Sequence, residues 1–174
     1  DNFINVETDS GSLDKLIGNV ALQQGTDMLY SDSTFLNIKT NNLEAFGDVK
    51  IIQSGGTQAM SNYLRYTSNK KLAYMSGNVS LINGNDKLWC EEFTYDLNTK
   101  IGTYNKNGTL QSDTTTVSSV QGVYNATTKD AHFKGNVLIT DPQYKVRSED
   151  MMYNTNTKLV TFYPPYESVV TSDK

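Results

Sequence analysis

Hydrophobic residues recur along this chain with two periods at once. Over short stretches they alternate with polar ones, as in Val20/Leu22, Val49/Ile51, Val79/Leu81 and Val137/Ile139, the pattern of a strand with one face buried. Over longer stretches Ile17, Phe46, Met75, Tyr104, Phe133 and Phe162 fall 29 residues apart. A second series with the same spacing, Tyr66, Tyr95, Tyr124 and Tyr153, opens turn-like segments that run on to Lys70, Lys100, Lys129 and Lys158. A third runs Ala59, Leu88, Val117 and Val146, each followed two residues later by a small side chain: Ser61, Cys90, Ser119 and Ser148. A fixed period of this length marks a repeat architecture, in which one short unit is stacked many times.

Each unit reads as two strands. The outgoing one carries Gly-Asn-Val or Gly-Asp-Val, at Gly18, Gly47, Gly77 and Gly135, and ends at turn signals such as Gln24-Gly25-Thr26-Asp27, Asn83-Gly84-Asn85-Asp86 and Asp141-Pro142. In the returning strand Leu88-Trp89-Cys90-Glu91-Glu92-Phe93-Thr94-Tyr95, the apolar parity starts on Leu88 and Cys90 but finishes on Phe93 and Tyr95. A slip of one residue exchanges the faces of a strand, so a bulge or kink must lie midway. The glycine pair of the outgoing strand is the matching bend. Pairs of bent strands joined by tight turns predict one all-β domain over residues 1–174, an elongated, V-shaped antiparallel sandwich. Six units of two strands, each strand about 4.8 Å from the next, extend roughly 55 to 60 Å.

Composition narrows what such a body does. Only 37% of residues are hydrophobic, and no run approaches the ~20 apolar residues of a membrane helix. The formal charge of −4, with 15 basic residues scattered along the chain, argues against nucleic acid, whose binding rests on clustered cations. A single cysteine, Cys90, permits no internal disulfide, and one histidine, His132, offers little for a dyad or a zinc site. The chain opens at Asp1 without methionine or an apolar leader, as one whose targeting segment has been removed would.

Isolated motifs read as structure. Cys90 shares its repeat position with serines and reads as a packing residue. His132 lies between Ala131 and Phe133 and reads as surface. Glu91-Glu92 and Glu149-Asp150 recur at one repeat position, and neighbours along a strand point to opposite faces, so a catalytic carboxylate pair is not expected. Asn83-Gly84-Asn85-Asp86 lacks the further carboxylates of a calcium loop. No cofactor and no metal are expected.

Taken together, repeated Gly-Asn-Val-x-Leu, a small residue in the next strand and a Tyr-Asp-x-x-Thr-Lys turn resemble the OstA-like family of lipopolysaccharide-transport proteins. The resemblance covers about Leu13 to Phe162. It implies a β-jellyroll, or β-taco, whose groove shields the lipid A acyl chains of lipopolysaccharide in the periplasm, and whose members join edge to edge in a bridge between two membranes. The activity it implies is carriage without catalysis.

On that reading Val20, Leu22, Phe46, Val49, Ile51, Met75, Val79, Leu81, Tyr104, Phe133, Val137 and Ile139 are the candidates for lining a lipid groove. Filling a closed core explains the same residues, and their burial is the part common to both readings. A slot of this kind suits acyl chains because each methylene shielded from water is worth about 0.8 kcal/mol. Phe3, Ile4 and Val6 alternate as an unpaired edge strand should, and predict pairing with another jellyroll transport protein or with a second copy. Pro164-Pro165 interrupts pairing near the other end. The alternative reading is a repeat β-protein acting as a surface adhesin or carbohydrate-binding module, which places exposed aromatics on an outer face. A hydrolase finds no constellation in the sequence.

Overall fold

The computed structural model describes residues 2–8 and 11–164, with side chains from Leu13 onward. Fourteen strands follow one another: β1 Asn2–Thr8, β2 Gly11–Gln24, β3 Asp27–Asn37, β4 Asn42–Ile52, β5 Gln58–Thr67, β6 Leu72–Asn83, β7 Asp86–Asp96, β8 Ile101–Tyr104, β9 Gly108–Ser112, β10 Thr115–Ser119, β11 Gln121–Asn125, β12 Asp130–Asp141, β13 Tyr144–Asn154 and β14 Val160–Phe162. All pairing is antiparallel, and β1 to β8 pair in chain order. This is the expected all-β meander.

Each long strand is bent once, and the bend is written in the glycine pairs. Pairing of β6 with β7 runs Ser76↔Glu92 and then jumps to Val79↔Cys90, so Gly77 and Asn78 face Glu91 alone. Both bulge residues have positive φ, 76° and 53°, which glycine and asparagine tolerate better than other residues. The same shift occurs at Ile17/Val20, Phe46/Val49 and Lys134/Val137. Bulges aligned from strand to strand make one continuous crease. It divides the sheet into a leaf that includes residues 49–52, 58–61, 79–83, 86–90, 108–112, 115–119 and 137–141, and a second leaf that includes 42–46, 63–67, 72–76, 92–96, 101–104, 121–125 and 130–134. We call these the lower and upper leaf.

In the fourth unit the bend breaks the strands outright. β8 and β9 are the two halves of one bent strand, as are β10 and β11. The halves pair separately, β7–β8–β11–β12 in the upper leaf and β7–β9–β10–β12 in the lower. The result is a ring of pairings around the crease. The core between the leaves is continuous from Ala45 to Tyr153 and includes Val49, Leu64, Met75, Val79, Phe93, Tyr104, Phe133, Val137, Ile139 and Met151, each at most 5% exposed.

Tyr104 shows how the leaves are held at the crease. Its hydroxyl, at the end of the upper half-strand, shares a 2.6 Å hydrogen bond with Ser119 Oγ at the end of a lower half-strand. Its ring lies against the backbones of Gly108 and Gly122, where an added Cβ would sit 2.5 Å from Cζ on either side. Only glycine leaves that space. Burial pushes the phenol up to about 12, with the Ser119 bond pulling the other way.

Candidate functional site

The open side of the V is a slot whose floor and walls come from different parts of the repeat. At the crease, Val20, Val49, Val79 and Val137 form one row, buried to 7% exposure or less. Two residues further along each strand, Leu22, Ile51 and Leu81 are half-buried toward the mouth, while Ile139 in the last unit is fully buried. From the upper leaf Met75, Tyr104 and Phe133 complete the interior, and Leu43, Ala73, Tyr95 and Tyr124 stand half-buried at its rim. Nine of the twelve residues proposed from the sequence belong to this one cluster or pack against it, Val20 and Leu22 continue its row beyond the cluster's edge, and the twelfth faces away. A cavity of about 80 Å³ runs among Leu81, Leu88, Phe93, Leu110 and Phe133.

Phe46 is the exception. Ala45, fully buried, occupies the inward position, and Phe46 pairs with Tyr63 on the outer face. The bulge explains the difference. In this unit Gly47 follows Phe46 directly, whereas Ser76 stands between Met75 and Gly77, and Lys134 between Phe133 and Gly135. Distance from the bulge, not the 29-residue period, decides which face a side chain takes. Ile17, which pairs with Ser33, is placed like Phe46.

That outer face carries an aromatic row in which Phe35, Phe46, Tyr63 and Tyr74 follow one another with ring centroids 5.7, 5.0 and 6.3 Å apart. The rings meet edge-on or tilted, and Lys15 lies over Phe35 and Arg65 over Tyr74. Packing of this kind stabilises the outer surface. It offers no open row of flat faces.

The two ends of the slot differ. Toward the C-terminal units the interior is sealed by Ile139, Met151 and Tyr153, each at most 1% exposed. There Lys158, in the turn after β13 on the upper rim, reaches across the mouth. Its Nζ donates to Ser112 Oγ at 2.7 Å and pairs with Asp113 Oδ2 at 2.9 Å on the lower rim. The Lys158 bond, followed by one from Asn85, holds the Asp113 carboxyl below the usual aspartate range. Beneath this clasp Tyr153 buries its hydroxyl with no partner among the described residues.

Lys158 is the last of a row. Lys71, Lys100, Lys129 and Lys158 all close their turns with positive φ, 53° to 67°, and successive turns stack through Leu97 N→Lys71 O, Ala126 N→Lys100 O and Thr155 N→Lys129 O, all 2.9 Å. In the first of these turns the structural equivalent is Lys71 rather than Lys70, because a short 3-10 turn over Ser68–Lys70 precedes it. The row lies along the upper rim, one lysine every second strand, roughly 10 Å apart.

The remaining single residues fall where packing places them. Cys90 pairs with Val79 beside the crease, and burial, followed by the charge of Glu91, pushes its thiol up to about 12. His132 lies on the outer side of the upper leaf, with Nε2 2.5 Å from Asp150 Oδ1 and its ring 5.7 Å from that of Tyr163. The two residues are on different leaves. Glu92 is paired with Lys106 at 2.6 Å, and Asp86 accepts a 2.5 Å bond from Ser112. Among the described residues no three His, Cys, Asp or Glu side chains converge on a point where a metal ion would sit. β1 does lie at the end of the sheet, paired among the described residues with β2 alone. The side chains of Phe3, Ile4 and Val6, and Pro165, lie outside the described residues.

Comparison with known proteins adds a family. A family model described as OstA-like protein matches residues 3–149. No curated protein matches the sequence. Among solved structures, LptH of Pseudomonas aeruginosa, the LptA-homologous periplasmic component of its lipopolysaccharide-transport device, aligns with 85% of this chain and 95% of its own at 13% identity. The TM-score of that overlap is 0.36, too low to carry any residue from one chain to the other.

Proposed function

The chain belongs to the OstA-like family, and from that premise we propose that it is a periplasmic, non-enzymatic carrier that shields the acyl chains of lipopolysaccharide between its two leaves. The observation that supports this reading most is the graded apolar interior. Valines seal the crease, while Leu22, Ile51 and Leu81 on one leaf and Leu43, Ala73, Tyr95 and Tyr124 on the other leave apolar surface part-exposed along an open side. A closed core would bury these rims. Covering them with an acyl chain returns about 25 cal/mol for each Å² removed from water on both partners.

The cavity of about 80 Å³ is small beside the roughly 300–1,000 Å³ of ordinary ligand pockets, so loading requires the leaves to part. The crease allows it. Backbone pairing joins neighbouring strands within each leaf and along the bend, and no strand pairs across the mouth among the described residues. Lipid phosphates would stay in water at the rim, where the lysine row at Lys71, Lys100 and Lys129 supplies charge-assisted bonds. The terminal strand β1 is the candidate edge for adding another jellyroll protein or a second copy.

Photo-crosslinking tests this reading. A benzophenone side chain at Ile51 or Leu81 is expected to form an adduct with lipopolysaccharide, and one at Tyr63, in the aromatic row of the outer face, is not. Equal labelling at all three positions, or none at the first two, overturns it.

A further inference from the structure

The crease has an outer side as well, and it is not smooth. Where β8/β9 and β10/β11 break, a cleft of about 470 Å³ opens on the surface facing away from the slot. Its floor is Gly108 with the flanks of Cys90 and Ser119, all at the bend. Three bulge residues line it at equal repeat positions: Asn78, Asn107 and Asn136. They sit on every second strand, roughly 10 Å apart. Trp89 forms one wall, 41% exposed although it is the only tryptophan in the chain.

Left-handed backbone accounts for asparagine at these positions, with φ of 53°, 49° and 49°. It does not account for the amides being free. The three side chains are exposed and their amides bond to no other described residue, which leaves donors and acceptors available to a ligand. Nor does packing account for Trp89, since its strand neighbours Leu88 and Cys90 are the ones that face the core.

The chemistry of the lining selects a ligand class. Glu91 is the one charged residue in the cleft, so phosphates and other anions are disfavoured. Amides present a donor and an acceptor side by side, which matches a pair of adjacent hydroxyls. Thr109 and Ser118 add hydroxyls on the wall. An exposed indole stacks on the apolar C–H face of a hexose ring, burying a flat surface at little entropic cost. The volume is that of an ordinary ligand site, and the spacing of successive amides is on the order of two hexose rings.

We propose that this cleft is a saccharide-binding site, in which Trp89 stacks on a neutral hexose unit and Asn78, Asn107 and Asn136 bond its hydroxyls. The site lies across the crease from the acyl slot, with Val79 of the valine row between the two. Its glycan has two possible sources, a cell-envelope polysaccharide or the sugar portion of the carried glycolipid.

Trp89 makes the test direct, because the chain's whole tryptophan emission comes from the cleft. The protein is titrated with chitotriose, with maltotriose and with the delipidated oligosaccharide of lipopolysaccharide, and each titration is repeated by calorimetry. A saturable change in emission is expected with at least one of them. Asn107→Gly and Asn136→Gly retain the left-handed backbone and remove only the amide, and each is expected to weaken binding by about tenfold. Response to chitotriose or maltotriose assigns the site to an envelope polysaccharide, and response to the delipidated oligosaccharide alone assigns it to the cargo. No saturable response by either method, or undiminished affinity in the folded double variant, overturns the proposal.

Discussion

Gly122→Ala tests whether Tyr104 is the strut that holds the leaves at the crease. An alanine methyl at this position would lie 2.3 Å from Tyr104 Cε1, more than 1 Å inside the ~3.5–4.0 Å of a comfortable carbon contact. The ring has nowhere to go. Gly108 lies against its other edge, and the Ser119 bond anchors its hydroxyl. Overpacking costs about 1–3 kcal/mol, and disturbing a buried hydroxyl's bond another 1–3, so a loss of about 3 kcal/mol is expected. For a chain of this size that is a fall in Tm of about 6–12 °C. Urea or thermal unfolding followed by circular dichroism measures it. The background of Tyr104→Ala decides the cause. That change alone costs about 3–5 kcal/mol, but once the ring is gone Gly122→Ala should be neutral or stabilising by up to about 1 kcal/mol, since alanine restricts the unfolded chain. Equal cost in both backgrounds refutes the strut.

Further outcomes follow from the same geometry. Tyr153→Phe removes a buried hydroxyl that has no partner among the described residues and should raise stability by about 1 kcal/mol in a urea melt. Asn78→Gly should change stability by less than about 0.5 kcal/mol, whereas Asn78→Val, forced to hold φ at 53°, should cost about 1–2 kcal/mol. Asp113 titrates below its ordinary 3.8 in the folded state, so its contribution is whole above that value and lost as pH falls through the lower folded value. The Tm difference between wild type and Asp113→Asn should therefore be positive near neutrality and vanish at strongly acid pH. Cys90, with its thiol pushed to about 12, should resist a disulfide reagent at pH 8 in the folded protein and react fully in denaturant.

The period, the strand pairs and the bend were legible because each has a local chemical cause. Gly-Asn and Gly-Asp pairs announce the bulge, and the parity slip between Cys90 and Phe93 announces its partner on the facing strand. The face taken by Phe46 was not legible from the period, since one residue inserted between Met75 and Gly77 reverses the orientation that counting by 29 assigns. The burial of the valine row was legible because valine follows the bulge directly in four units; in the fourth along the chain Gly108 takes its place after Asn107. The Lys158 clasp and the free amides at the crease escaped the sequence for a different reason. Both depend on what the folded sheet brings opposite a residue, and the Lys158–Ser112 contact spans 46 positions. A signal for the cleft did exist in Trp89, whose place between the inward Leu88 and Cys90 puts a large ring on the outside.

The way the strands are paired also makes the body mechanically uneven. From β2 to β6 each strand is held by its two neighbours in chain order, one linear series that starts at β1. From β7 onward the pairings β7–β9 and β10–β12 close a loop, and Lys158 ties the two rims. Force drawn along the chain would peel the first strands one hairpin at a time. The last units would resist and then give way together. A protein in which one end yields stepwise and the other acts as a block can open its slot from a fixed end. Where the first strands part, the apolar interior is uncovered, while the looped units keep the two leaves in register.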